Sequence, residues 1–401
     1  MGEISEEHFE KYFYRSISKC PAGFDNPTAK EISRVTDIIK TKGITLASKK
    51  VTAGFDGFVD TIVKIIKSKQ AHTPPTLFNT TVEFGNYIVE KGGTSFGLEV
   101  EERNIKLGGN MPIMANTLGM LSVHVNCVGA LGYPQTHRVF KNISSNCHLY
   151  SFADPGSSTA FEFNDGKIIF AQMGTLNSLG WDKIKEIIGI ETLISLYRQS
   201  DLLCVVNWSE IDTSSDIWKG LLADVFPHYS VPNKKQITFF DLSDCSKRSK
   251  ESITEALMLL KEFSRYTRVI LSLNKNETRC IHEIFYQNAA TDNLLEMGKH
   301  IFEKLDIETL LLHSPKQAMA INREETFSCD TFFVPHPKLS TGAGDHFNAG
   351  FTAGQLLNCG LQSSLILANA VSAFYVETGV SPEIKDVVNF LEEKIKILLV
   401  H

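Results

Sequence analysis

Short apolar runs rich in valine, isoleucine, leucine and phenylalanine recur at 50–55, 123–128, 202–206, 236–241, 268–273 and 309–313. Stretches with apolar residues at three- and four-residue spacing, such as 111–121, 251–265 and 363–377, stand between them. A continuous apolar run of this length reads as a strand buried on both faces, and the three-to-four spacing reads as an amphipathic helix. Their alternation predicts an α/β fold, a three-layer, doubly wound, mostly parallel sheet covered by helices on both faces. Sheets of this kind take ligands beyond the carboxyl ends of their strands. The residues that follow the strands are therefore the first candidates for function.

Composition narrows the class. With 401 residues, 43% hydrophobic and 21% charged, the chain can bury a large core. A net charge of -6 argues against a nucleic-acid partner, whose phosphates call for a basic face, while small anionic ligands need only local positive potential. The eight cysteines include no Cys-x-x-Cys pair, and the twelve histidines show no metal-ligand spacing, so reduced thiols are expected. No stretch resembles a secretion signal and no apolar run reaches membrane-spanning length, which predicts a cytoplasmic protein without a membrane partner.

Residues 1–45 stand ahead of the first strand and contain two amphipathic patterns, 6–17 and 28–39, read as a helical N-terminal extension packing on the core or on a partner. The main domain is expected over 46–401. Two segments break its alternation. One is 76–106, with Thr81-Val82-Glu83-Phe84-Gly85; the other is 157–172, where Asn164-Asp165-Gly166 between alternating apolar runs signals a hairpin. Thr331 to Val334 reads as a strand end.

Ser340-Thr341-Gly342-Ala343-Gly344-Asp345-His346-Phe347 joins a glycine turn, a carboxylate and a helix start, because Phe347, Phe351, Leu356 and Leu357 follow at helical spacing. Backbone N–H groups at a helix N-terminus favour an anion through unpaired donors and the macrodipole. A carboxylate beside such a nest suits taking a proton from an attacking hydroxyl, and it equally suits capping the helix.

Three further stretches accompany this turn in order: Val51 to Asp60, containing Asp56 and read as a first strand closed by Asp60; Leu107-Gly108-Gly109-Asn110 followed by Met114 to Leu121; and Val269 to Glu277, ending in Asn-x-x-Glu. Together with the glycine-alanine-glycine-aspartate turn, they resemble the ribokinase-like (PfkB) carbohydrate kinase family over roughly residues 49 to 385. The resemblance implies a ribokinase-like fold whose small β lid, here 76–106 and 157–172, covers a sugar and keeps water from the phosphoryl group. It implies ATP-dependent phosphoryl transfer to a hydroxyl of a sugar or sugar-like substrate, with Mg²⁺ and with no nucleic acid involved, and it permits a homodimer.

The implied roles fall on particular residues. Asp345 is the expected general base, and the N–H groups of Gly342, Ala343 and Gly344 the expected anion hole. Asp56, Asp60, Gly108, Gly109 and Asn110 would bind substrate. Asn274, Thr341, Asn348 and Asn369 would border the nucleotide, and Glu277 with Asn274 would organise Mg²⁺ through waters. Trp208 could stack on a sugar or be buried. Lys91, Arg103 and Lys106 could supply positive charge near the lid, as Lys275 and Lys338 could near phosphates. His313-Ser314-Pro315 replaces the family's Thr-x-Gly turn, Gly132-Tyr133-Pro134 its Gly-Asp-Asp, and Leu339 its aspartate. These departures keep open a second reading, a non-catalytic or regulatory relative that binds a sugar or nucleotide.

Overall fold

The computed structural model describes residues 26–229, 235–286 and 291–400. The helical pattern at 6–17 lies outside them. Among the described residues fourteen strands form: β1 (Lys50–Phe55), β2 (Phe58–Ser68), β3 (Thr76–Leu77), β4 (Val100–Gly108), β5 (His124–Gly129), β6 (Cys147–Ser151), β7 (Gly156–Glu162), β8 (Lys167–Gln172), β9 (Leu202–Val206), β10 (Ile237–Asp241), β11 (Arg268–Asn274), β12 (Thr309–His313), β13 (Gln317–Ile321) and β14 (Thr326–Asp330).

The main sheet runs in the order β14-β13-β12-β11-β10-β9-β1-β5-β6. From β12 to β6 neighbours are parallel, and β13 and β14 return antiparallel. Every residue of β9 and β10 is buried, which is why these strands read as unbroken apolar runs. One core cluster lies on each face. The first gathers Met111, Phe351 and Val371, the second Trp218, Phe240 and Phe263. Each such side chain contributes about 1.5–3 kcal/mol by leaving water.

The helix Ala29–Lys42 is capped by Thr28 in a capping box with Glu31 and buries Ile32, Val35 and Ile39 in the first cluster. It packs against Ile384–Val400, where Lys40 pairs with Glu392 at 2.5 Å. This part of the 1–45 segment thus packs on the core. The helices Ala343–Leu356 and Gly360–Thr378 approach so closely that a Cβ on Gly350 would lie 2.7 Å from Ala368 Cα. Small residues there set the height of the first helix, and with it the position of its N-terminal turn.

The segments expected to form a lid make a second sheet. β2 pairs with β4 on one side and β7 on the other, β7 continues into β8 through the expected hairpin, and β3 pairs with the end of β2. Three expectations change here. Asp60 belongs to the lid strand β2 instead of closing the first strand, which ends at Phe55. Thr81–Glu90 is a helix, because Thr80 caps it by accepting the Glu83 N–H at 3.0 Å and Phe84 packs at helical spacing with Tyr87 around Phe78. Thr331 to Val334 is irregular; β14 stops at Asp330, and Pro335 and Pro337 follow, residues that cannot donate to a ladder.

Candidate active site

Asp56 lies just beyond β1, completely buried. Its Oδ2 accepts the Asn110 N–H at 2.8 Å and its Oδ1 the Met111 N–H at 2.9 Å, while Asn207 Nδ2 donates to Oδ2 at 2.6 Å. The carboxylate therefore satisfies the first amides of the helix Asn110–Met120. Gly109, with φ of 90°, makes this approach possible; a Cβ there would lie 2.4 Å from Asp56 Oδ2. A Cβ on Gly108 would lie 2.1 Å from Asp60 Oδ1, so both glycines are required by a carboxylate across from them. Burial pushes the Asp56 carboxyl up to about 7, against the lowering effect of its three donors.

Asp60 faces inward from the lid. Its Oδ1 accepts the Ser158 hydroxyl at 2.7 Å from β7. Burial raises its pKa, and Lys106 and Lys167 pull in the opposite direction.

The glycine turn opens the helix Ala343–Leu356 with Gly342 at φ 94° in the left-handed region. Its carbonyls are tied down from behind. Tyr375 donates its hydroxyl to the Thr341 carbonyl at 2.6 Å, and His346 Nδ1 lies 2.7 Å from the Gly342 carbonyl, with Nε2 2.8 Å from Ser381 Oγ. Burial pushes His346 down to about 3, so its ring is neutral and stacks on Tyr375 at 3.6 Å. The Ala343 N–H is engaged by the Ser340 carbonyl at 3.2 Å. Of the three amides expected to form the anion hole, Gly342 and Gly344 remain as donors without an acceptor among the described residues.

Asp345, in the first turn of that helix, carries a carboxyl pushed well above its ordinary range. Burial is the largest cause, then the charges of Asp241, Asp56 and Asp60, with Lys167 opposing. The glycine turn, the diglycine and the lid thus meet in one electrostatic neighbourhood.

Behind it, Asp241 at the end of β10 accepts the Ser243 N–H at 2.7 Å and Asn348 Nδ2 at 2.6 Å, and Asn348 Oδ1 accepts the Ser272 hydroxyl at 2.8 Å. Asn348, expected beside the nucleotide, is only 1% exposed, and both ends of its amide are engaged in bracing Asp241. Asn274 caps the helix Lys275–Phe285, and Glu277 accepts the Asn274 N–H at 2.8 Å and its side-chain amide. The pair is a complete capping box. Glu277 is nevertheless buried, and burial together with Asp241 raises its pKa well above normal.

Next to the turn lies a mostly apolar cavity of about 610 Å³ whose wall includes Asn274, His313, Pro315, Phe333, Gly344 and Asn369. The altered His313-Ser314-Pro315 turn is therefore part of it. Asn369 donates to Cys329 Sγ at 3.2 Å, and its Oδ1 is buried without a partner among the described residues. Thr341 is nearly buried, its hydroxyl 3.0 Å from Lys167 Nζ.

Other expectations resolve by placement. Trp208 is fully buried, its Nε1 donating to Ser215 Oγ at 3.1 Å, and it stacks on no ligand surface. Lys275 pairs with Asp292 at 3.3 Å. Asn207, Ser158, Lys167, Tyr375 and Asp241 are the site residues that sequence reasoning missed. Asp241 ends one buried strand and Asn207 directly follows another, and Ser158 and Lys167 lie in the two strands of the hairpin, which were the available signals. For Tyr375, inside a long apolar helix, there was none.

A family model described as prokaryotic ketohexokinase matches residues 24–394. The chain belongs to that family. This ketohexokinase-family member is 27% identical over 337 residues to the ketohexokinase of Haloferax volcanii, covering 83% of this chain and 88% of that protein. It is thus a carbohydrate kinase, an enzyme of phosphoryl transfer to a sugar. Among solved structures it resembles the Thermotoga maritima ribokinase, with TM-score 0.57, 17% identity and coverage of 86% of this chain and 99% of that one. It also resembles the Arabidopsis thaliana ribokinase complexed with ribose and ATP, with TM-score 0.58, 13% identity and coverage of 86% and 98%. At these identities the likeness establishes the ribokinase-like fold. No described helix is long and apolar enough to cross a membrane.

Proposed function

We propose that this enzyme transfers the terminal phosphoryl group of ATP to a hydroxyl of a ketohexose, with Asp345 as general base. The observation that carries this reading is the convergence, at one helix N-terminus, of the Asp345 carboxylate with the unengaged amides of Gly342 and Gly344, within electrostatic range of Asp56 and Asp60.

The sugar binds under the lid. Asp60 retains an oxygen beyond the one that accepts from Ser158, and Asn110 follows directly after the diglycine; these two take sugar hydroxyls. Asp56, with both oxygens bound to amides, positions Asn110. The nucleotide occupies the apolar cavity, where the unpartnered Asn369 Oδ1 suits an amino group of the base. The sugar oxygen attacks the terminal phosphorus, an O–P bond forms, the bond to the bridging oxygen breaks, and its electron pair leaves with ADP. Asp345 takes the hydroxyl proton. Gly342 and Gly344 donate to the phosphoryl oxygens as charge shifts toward them.

Mg²⁺ fits the donor set. Asp241 raises the pKa of both Glu277 and Asp345, and Asp345 raises that of Glu277, an accumulation of hard anionic oxygens that a divalent cation relieves. Among the described residues no three His, Cys, Asp or Glu side chains cluster to cage a metal; a magnesium here would be held through waters and phosphate oxygens. Glu277 and Asn274 would orient those waters, and the ion would neutralise phosphate charge.

The test is an ADP-release assay over ketohexoses, aldoses and nucleosides. Turnover is expected with a ketohexose, and Asp345→Asn is expected to lower kcat by about 10²–10⁴-fold, since the substitution keeps shape and removes the proton acceptor. An unchanged kcat in that variant refutes the assignment of the base.

A further inference from the structure

The lid carries charge on its inner face. Asp60 is paired with Lys106 of β4 and Ser158 of β7, and Glu162 of β7 with Lys167 of β8. Paired residues project to the same side, and residues two apart along a strand share it, so all five side chains occupy one face. That face meets the glycine turn. Lys106 Nζ lies 3.1 Å from the Tyr375 hydroxyl and 3.4 Å from the Thr341 carbonyl, and Lys167 Nζ lies 3.0 Å from Thr341 Oγ1.

Both ammonium groups have only neutral oxygens as hydrogen-bond partners among the described residues, although Asp60, Glu162 and Asp345 are close enough to act on them. Other lid lysines behave differently. Lys67 pairs with Glu83 at 2.5 Å and Lys69 with Glu99. Arg103 pairs outward with Glu101 at 2.8 Å, and Lys91 lies over the Tyr87 ring. Holding two like charges side by side at the glycine turn is unfavourable unless an anion joins them. Desolvation of the ammonium groups holds both lysines below their ordinary range, and the charge of Lys167 lowers Lys106 further.

We propose that Lys106 and Lys167 form a cationic clamp, carried by the lid, that closes on the phosphoryl group as it passes from donor to sugar. The clamp rests on the phosphoryl-transfer reading of the Asp345 turn and adds two catalytic residues to it. A ketohexose is neutral, so the clamp has no charge to grip on the acceptor alone. As the acceptor O–P bond forms and the bridging bond breaks, the proton passes to Asp345 and the ammonium groups meet the charge on the equatorial phosphoryl oxygens. After transfer they hold the phosphate of the product.

The experiment uses the full chain with Lys106→Met and Lys167→Met, each beside its Arg counterpart. Each Met variant is expected to lower kcat by about 10²-fold, the scale of losing one donor to a transition-state oxyanion. Calorimetric affinity for the neutral ketohexose should change by less than about threefold, while inhibition by the product sugar phosphate weakens by about tenfold or more, and the Arg variants regain much of both. An unchanged kcat in both Met variants overturns the clamp, as does a loss confined to neutral-sugar affinity. Should the Met variants melt early, amine labelling of the wild-type enzyme decides: product sugar phosphate, but not the neutral sugar, is expected to slow modification of Lys106 and Lys167, and indifference to the phosphate overturns the proposal. Asp345→Asn separates the two levels. An inactive Asp345→Asn beside fully active lysine variants removes the clamp alone, whereas an active Asp345→Asn removes the reading beneath it.

Discussion

The Tyr375 hydroxyl donates to the Thr341 carbonyl at 2.6 Å from a helix that never itself reaches the reacting atoms. Turning that carbonyl backward leaves the Gly342 and Gly344 amides to face an anion. Tyr375→Phe keeps the ring stacked on His346 and removes the donor to Thr341, together with the oxygen that accepts from Lys106 at 3.1 Å. The buried carbonyl retains at most the 3.4 Å contact to Lys106, so unfolding should cost about 1–3 kcal/mol less, read as a lower Tm. The loosened turn should also lower kcat by roughly tenfold, the scale of about 1.4 kcal/mol in the barrier. If both quantities stay at wild-type values, His346 alone holds the turn.

Gly109→Ala tests why a diglycine precedes the Asn110–Met120 helix. The backbone at φ 90° and ψ 147°, a region held almost only by glycine, costs an alanine about 1–3 kcal/mol, and its Cβ would sit 2.4 Å from Asp56 Oδ2. Gly93 provides the control, with φ 78° and nothing within 4 Å of its Cβ. Gly93→Ala should show the strain alone, with sugar KM unchanged. Gly109→Ala should lose more stability and raise sugar KM by about tenfold or more, because Asn110 moves with the displaced carboxylate. Equal effects from the two substitutions would mean that the contact with Asp56 is unimportant.

These contacts also show what could be read from the chain and what could not. β9 and β10 were legible because burial on both faces removes alternation, and the glycine turn because a left-handed N-cap needs glycine. The membership of Asp60 in the lid was hidden, since β2 begins three residues after β1 ends and its partners lie in β4 and β7. Thr81–Glu90 was misread because Val82 and Phe84 alternate locally, while the cap at Thr80 and the packing of Phe84 against Phe78 decide for a helix. Asn348 had the right position for a ligand contact, yet Asp241 and Ser272, both remote in sequence, take its amide. Tertiary proximity of this kind leaves no periodic trace.

Asp56 should make stability depend on pH in a particular direction. Its carboxyl has an ordinary value of 3.8 and a folded value of about 7. Between those limits the unfolded chain has released its proton while the folded chain retains it, so this group's contribution is full below 3.8 and declines as pH rises through 7. Asparagine cannot titrate. The stability of wild type relative to Asp56→Asn should therefore shrink between about pH 4 and pH 8, by up to about 4 kcal/mol at 1.36 kcal/mol per unit. Denaturant melts of both proteins across that range provide the measurement, and a constant difference would place the raised carboxyl elsewhere.

The same substitution should move the catalytic pH profile. Asp345 must be ionised to accept a proton, and burial and neighbouring carboxylates hold its pKa well above the ordinary value, so the acid limb of kcat/KM should lie above the usual aspartate range. Asp56 is one of the charges that raise it, and Lys167 is the one that lowers it. Asp56→Asn should consequently shift the limb to lower pH, and Lys167→Met should shift it to higher pH, whatever each does to the plateau. A limb that stays fixed in both variants would show that some group other than Asp345 controls ionisation in the free enzyme.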